Sequence, residues 1–384
     1  MSDRSTKRKN GFSLLEMTIS MALGGIVLAA AVQIYIQGVQ AAWTTTQRAE
    51  MQQDFRAASN ILTTDLSLAG AGLNLGAAIA LPSATPPVYG CAQTAGKPCY
   101  INGGSVAFPT QLGTPYLYGL IPGYQKGPTL FALQGPTDVV TVVYTDNNFY
   151  LDCYTATVTN TTTVTFSLPT PTPPATGSTN CTSPTGNPGV QAVSDSAVGL
   201  TAGDLVLFTF GAANVVAEVT ANAAGSAVTF AANDALNLNQ AAGVSNSLAH
   251  VATGTTGYGT RLRVVSYYID NSPTPPRLMQ QVSGHTPIPV AENIVYLQFT
   301  YDLFNDTTNK PAVGCYNPGA NPDGCALASA NLLPNQITKI NIANMAMDST
   351  VMGAQYGPSG YQRMDLQTSV SARNLTYTNN YPLH

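Results

Sequence analysis

Lys9-Asn10-Gly11-Phe12-Ser13-Leu14-Leu15-Glu16, followed by the apolar run Met17 to Val32, decides how this chain is built. Upstream, Asp3, Arg4, Lys7, Arg8 and Lys9 give a net charge of +3. After Glu16 no charged residue occurs until Arg48. A basic start before an apolar run reads as an export or insertion signal. The basic end stays in the cytoplasm and the remainder lies outside. Three readings compete: a secretory signal cut after Ala29-Ala30-Ala31, an uncleaved anchor, and a leader cut before the apolar run. Glu16 separates them. A carboxylate within an apolar segment costs roughly 2.5–3.5 kcal/mol on insertion scales, so it marks a functional position. Neither a plain signal nor a plain anchor has a use for it.

The same eight residues closely resemble the type IV prepilin signature. The resemblance implies cleavage between Gly11 and Phe12 by a prepilin peptidase, and N-methylation of Phe12 by the same enzyme. It also implies an assembly role for Glu16. Physical chemistry accommodates that role. Cleavage leaves an ammonium on Phe12 at the membrane boundary, and a neighbour's Glu16 can pair with it. Buried charges are costly alone and tolerable when paired, so the pair would set subunit register.

Residues 12 to about 69 contain no proline, and Gly70-Ala71-Gly72 supplies a stop. The spacing predicts one helix over 12–72 that spans the membrane at about 13–36. Val39, Trp43, Met51, Phe55, Ala58, Leu62, Leu66 and Ala69 recur at helical spacing, which predicts an apolar stripe packed on the rest of the protein. Gly24 and Gly25 are expected to weaken the helix locally. Where many pilins carry a helix-breaking proline, this chain has Gln33.

From 73 to 384 the pattern is that of a β-rich head outside the cytoplasm. Residues 73–136 are rich in Gly, Pro and Ala with little periodicity. Strands are expected over 138–145, 161–168, 204–210, 214–220 and 227–231, then 262–269, 278–282, 294–301, 337–347 and 364–372. The fold class is α+β, pilin-like, one long N-terminal helix on an antiparallel-sheet head built from local hairpins. The run Arg263-Val264-Val265-Ser266-Tyr267-Tyr268-Ile269-Asp270 leads to Pro276-Arg277-Leu278-Met279-Gln280 and then Ile294-Val295-Tyr296-Leu297-Gln298-Phe299-Thr300-Tyr301. That order resembles PilW-type minor pilins, as do Gly203-Asp204-Leu205-Val206-Leu207 and Ser371-Ala372-Arg373-Asn374-Leu375.

The resemblance implies a minor type IV pilus subunit that helps initiate assembly, with a tip position suited to its large head. Its implied partners are other minor and major pilins, the peptidase and the inner membrane. It would stand in that membrane before assembly and in the pilus or at the cell surface afterwards. The J-type pseudopilins of type II secretion share the leader and general fold and remain an alternative. A membrane-anchored periplasmic enzyme or an adhesin is a further one.

Composition bounds the rest. The chain has 384 residues, of which 9% are charged, and a net charge of −4. That balance argues against a nucleic-acid surface, and the 44% hydrophobic fraction is too low for a multi-span membrane protein. Six cysteines, Cys91, Cys99, Cys153, Cys181, Cys315 and Cys325, all lie in the exported part, where disulfides persist. Six allow fifteen connectivities; the sequential one, 91–99, 153–181 and 315–325, closes short loops. Their spacing lacks the tight C-x-x-C of a metal site. His250, His285 and His384 read as solvated loop histidines. Asp302 to Asp306 and Asn321 to Gly324 miss the calcium-loop register and read as turns, with calcium as the alternative. No catalytic residue, metal or cofactor is expected, and no enzyme.

Overall fold

A computed structural model describes residues 13–73, 79–89, 106–111, 113–131, 135–146, 149–167, 192–211, 213–272, 274–305, 310–315, 334–349 and 360–375. The chain forms two units that divide between Gln53 and Asp54, inside a single helix. Helix α1 runs Leu14–Ser67, 54 residues, or about 81 Å at 1.5 Å per residue. It passes through Gly24 and Gly25 without a break. The expected stop is real: Leu68 to Gly72 form turns, with Gly70 at φ 75° and Gly72 at φ 72°, where a side chain would be strained.

The first unit holds α1 as far as Gln53. From Leu14 to Trp43 its apolar residues are exposed all round, Leu14, Ile26, Leu28 and Ile34 among them, and Met51 near its end is buried. The second unit begins at Asp54 and contains every strand among the described residues. Here Phe55, Ala58, Leu62, Leu66 and Ala69 are buried, as the predicted stripe requires. Val39 and Trp43, at the start of that stripe, are not: they are 38% and 63% exposed. The helical period is continuous, but the packing surface is not.

The helix end is joined to a sheet by backbone. Gly70 N–H donates to the Val143 carbonyl at 2.8 Å, and Thr145 N–H donates to the Ala71 carbonyl at 2.9 Å. A Cβ on Gly72 would lie 1.8 Å from Thr145 Oγ1, and one on Gly119 would lie 2.7 Å from Gly70 Cα. Both glycines permit that approach. Asp65 adds a polar tie, accepting hydrogen bonds from Tyr267 Oη and from Gln280 Nε2 at 2.9 Å.

Among the described residues the largest sheet has eleven strands, organised on Thr256–Asp270, which is 15 residues long. Its first residues pair with Thr155–Asn160 and with Leu205–Phe210. Its later residues pair with Val139–Thr145 and with Arg277–Val282. Every pairing is antiparallel. A second sheet has the order Lys310–Cys315, Ile294–Asn305, Ile337–Asp348, Arg363–Ser371. Hairpins such as Leu205–Phe210 with Ala213–Glu218 are local, as expected. The joins are not: Leu262 pairs with Thr145. Long-range pairing, as well as hairpins, holds the sheet together.

Alternation explains the core. Phe208 and Phe210 lie two residues apart and so point to one face. Their rings stack at 5.5 Å, Phe230 meets Phe208 edge-on at 5.3 Å, and Phe166 lies 6.1 Å from Phe208. Strand Thr155–Asn160 joins that core through Ala156 and Val158, with threonines between them. Strand Ile288–Glu292 was unexpected because it contains Pro289. It pairs only with Arg277–Val282, at a register shift, which is where proline is tolerated.

Candidate functional site: the helix start and its exposed face

Ser13 and Glu16 form the first geometry of the helix. Leu15 N–H donates to Ser13 Oγ at 3.2 Å, and Ser13 N–H donates to Glu16 Oε2 at 3.3 Å. This is a reciprocal cap at the Ser-x-x-Glu spacing. Four N–H groups at a helix start have no partner within the helix, and these side chains answer that need. The negative charge also lies at the positive end of the helix dipole. Glu16 is exposed and already engaged by its own chain. Gly11 and Phe12 lie outside the described residues.

Beyond the cap, the segment from Leu14 is long and apolar enough to cross a membrane. Its exposed large residues include Val32, Ile36, Val39 and Trp43, at helical spacing. Thr44, Thr45 and Thr46 follow. Three β-branched residues in a row favour other conformations, yet the helix continues. Their hydroxyls donate to the carbonyls of Gln40, Ala41 and Ala42, which satisfies them within the helix.

Away from the helix, several charged groups are buried in the second unit, and all have local acceptors or donors. Asp138 accepts Gln125 N–H and Phe299 N–H, both at 2.8 Å. Burial pushes its carboxyl up to about 6, against the lowering pull of those two bonds. Glu218 accepts Leu236 N–H at 2.9 Å, and Asp234 accepts Leu238 and Asn239 N–H at 2.7 and 2.9 Å. Burial, then the charge and hydrogen bond of Asp234, push Glu218 up to about 8. A proton on Glu218 relieves its repulsion with Asp234.

A cleft of about 420 Å³ is lined by Asp146, Asp204, Arg261, Arg263, Gln280 and His285, among others. Arg261 is 2.8 Å from Asp146 and donates to the Val198 carbonyl at 2.8 Å. His285 Nε2 lies 3.0 Å from Asp204 Oδ1. Burial alone would raise Asp204; hydrogen bonds from His285 and Thr201, with the charges of His285 and Arg261, hold it below its ordinary range. The charges in this cleft are spent on one another.

These groups correct some expectations. His285 is not simply solvated, because Asp204 holds it. His250 Nδ1 lies 2.9 Å from the Ala242 carbonyl, and His384 is outside the described residues. Asp302 is not in a turn. It lies on strand Ile294–Asn305, where its carboxylate accepts Gly314 N–H at 3.0 Å and Asn341 Nδ2 at 3.1 Å. Residues 321–324 are outside the described residues. Cys153 and Cys315 are each disulfide-bonded, and no described cysteine is free. Cys91, Cys99, Cys181 and Cys325 lie outside the described residues.

The sequence reading passed over Ser13 as a cap, although the Ser-x-x-Glu spacing was visible. It also passed over Asp65, Asp138 and the Glu218–Asp234 pair. Asp65 occupies one position in an otherwise ordinary amphipathic pattern. The N–H donors to the other three come from residues far away along the chain or from loop backbone, which no local pattern reveals.

Residues 6–32 match the family model for the prokaryotic N-terminal methylation motif. No curated protein and no solved structure matches the chain. The start of this chain thus carries a type IV prepilin-like methylation motif, the kind that precedes an apolar helix in precursors of pilins and pseudopilins.

Proposed function

We propose that the chain is a minor, PilW-like subunit of a type IV pilus that helps start pilus assembly, at or near the tip. The observation that carries this reading is a methylation motif at the head of a helix whose first half is apolar and exposed on all sides. Residues 1–11 are the leader, 12–72 the helix and 73–384 the extracytoplasmic head. Prepilin peptidase cuts between Gly11 and Phe12 and the new N-terminus is methylated. The helix stands in the inner membrane, then moves into the filament among other pilins. On assembly, Glu16 leaves its own cap or shares it, and pairs with a neighbour's Phe12 ammonium. The disulfides are 91–99, 153–181 and 315–325. The motif favours a structural subunit over an enzyme.

Mass spectrometry of the mature chain tests the reading: methylated Phe12 at the N-terminus is expected, and a chain starting at Val32 overturns it. The J-type pseudopilin reading is the second one, since the same motif serves both. Gene neighbours divide them: minor-pilin genes support the first, secretion-channel genes the second.

A further inference from the structure

Two features of the first unit have polar ends in common. At one end, Glu16 sits in a cap with Ser13, engaged by backbone N–H. At the other, Trp43 is 63% exposed and ends the apolar stretch, just before Thr44-Thr45-Thr46-Gln47-Arg48. The helix is unbroken between them. The rise from Glu16 to Trp43 is about 40 Å, the thickness of a bilayer including both headgroup layers, about 40–45 Å. A register that buried Glu16 in hydrocarbon would push Trp43 several ångströms further out, into water.

We propose that before assembly the helix stands with Glu16 in the inner headgroup layer and Trp43 in the outer one. The occupant of this face is then the bilayer interface, where the amphipathic indole ring is favoured. The hydrocarbon core is crossed by roughly residues 18–38. The capped carboxylate stays in a polar layer, which removes most of the cost of carrying it into hydrocarbon. Trp43 therefore acts as a depth stop, and no packing inside the protein explains its size and position. The inference rests on the membrane-anchored reading above and adds a vertical register to it.

Trp43 is the sole tryptophan, so its fluorescence reports this position alone. The test uses the full chain in vesicles of phosphatidylethanolamine and phosphatidylglycerol. One set of vesicles carries a nitroxide on the lipid headgroup, another carries bromines midway along the acyl chains. Trp43 emission should be quenched at least about twofold more by the headgroup nitroxide than by the bromines, as expected for an interfacial aromatic. In the double variant Val32→Trp with Trp43→Phe, the indole moves about 16 Å inward and the order of the two quenchers should reverse. Full quenching by aqueous iodide with no effect of the nitroxide overturns the inference, because Trp43 is then in water. Resistance to all three quenchers also overturns it, because protein then covers the ring. Flotation of the protein with the vesicles is scored separately. A protein that fails to float refutes the membrane reading itself, whereas one that floats with Trp43 in water refutes only the register.

Discussion

The two halves of α1 share one backbone geometry and opposite surroundings. Up to Trp43 the helix keeps its apolar side chains exposed; from Met51 on, the stripe Met51, Phe55, Ala58, Leu62, Leu66 is buried. The difference teaches that helical periodicity reports which residues share a face and leaves open what that face meets. In the second half the answer is the protein's own sheet, sewn to the helix through Gly70, Ala71 and Asp65. In the first half, as far as Trp43, no described residue buries the apolar side chains.

The sharpest way to break this contrast is to place the same charge in each half. Leu62→Asp puts an unpaired carboxylate into the core, and the second unit should lose more than about 4 kcal/mol of stability. Leu28→Asp should leave the urea unfolding midpoint of that unit where it was. Its penalty should appear in membrane insertion, at roughly 2.5–3.5 kcal/mol. Equal losses of stability for both variants would erase the distinction.

Titration gives the next effect. The folded pKa of Glu218, about 8, lies above its ordinary value because of burial and Asp234. The protonated form favours the fold, so this contribution is fully present below about 4.5 and is lost as pH rises through about 8. The loss is at most on the order of 5 kcal/mol. Asp138, raised to about 6, acts in the same direction. Chemical unfolding at a series of pH values should show the decline, and Glu218→Gln should flatten its upper part. A profile that rises from pH 5 to 8 would contradict the assignment.

Asp65→Ala tests the polar tie between helix and sheet. It leaves Tyr267 Oη without its acceptor and Gln280 Nε2 with only the Tyr267 hydroxyl, and should cost about 1–3 kcal/mol, read as a lower melting temperature of the second unit. The smallest effect is expected at the other end of the helix. Ser13→Ala should weaken the first turn by about 1 kcal/mol. Hydrogen exchange should speed up at Leu14 to Thr18 and stay unchanged in the sheets.

Much of this was legible in the residues. The long helix and its glycine stop read directly, because apolar spacing and the absence of proline are local signals. Strands such as Leu205–Phe210 and Ile337–Asp348 were placed within a residue or two for the same reason. Thr155–Asn160 escaped because threonine occupies its outward positions and reads as loop. Lys310–Cys315 escaped because glycine and proline lie within it. The pairing of Val139–Thr145 with Thr256–Asp270 was out of reach, since nothing near either strand encodes a partner more than a hundred residues away. At the site, Glu16 stood out as an isolated charge, and Trp43 was misplaced: its period fits the core stripe, and only the structure shows where the covering sheet stops.

The junction at Gly70 and Gly72 has a mechanical side. Load drawn along the helix reaches the second unit through the buried stripe and the Asp65 tie and, at the helix end, through two backbone hydrogen bonds to Val143 and Thr145. Those residues belong to a strand with partners on both edges, Leu120–Gly123 and Thr256–Asp270. The latter strand in turn touches four others. Tension is thus handed to the middle of the sheet and spread over several ladders, and no free edge strand bears it. A tether fixed in this way can be pulled without peeling its domain open from one side.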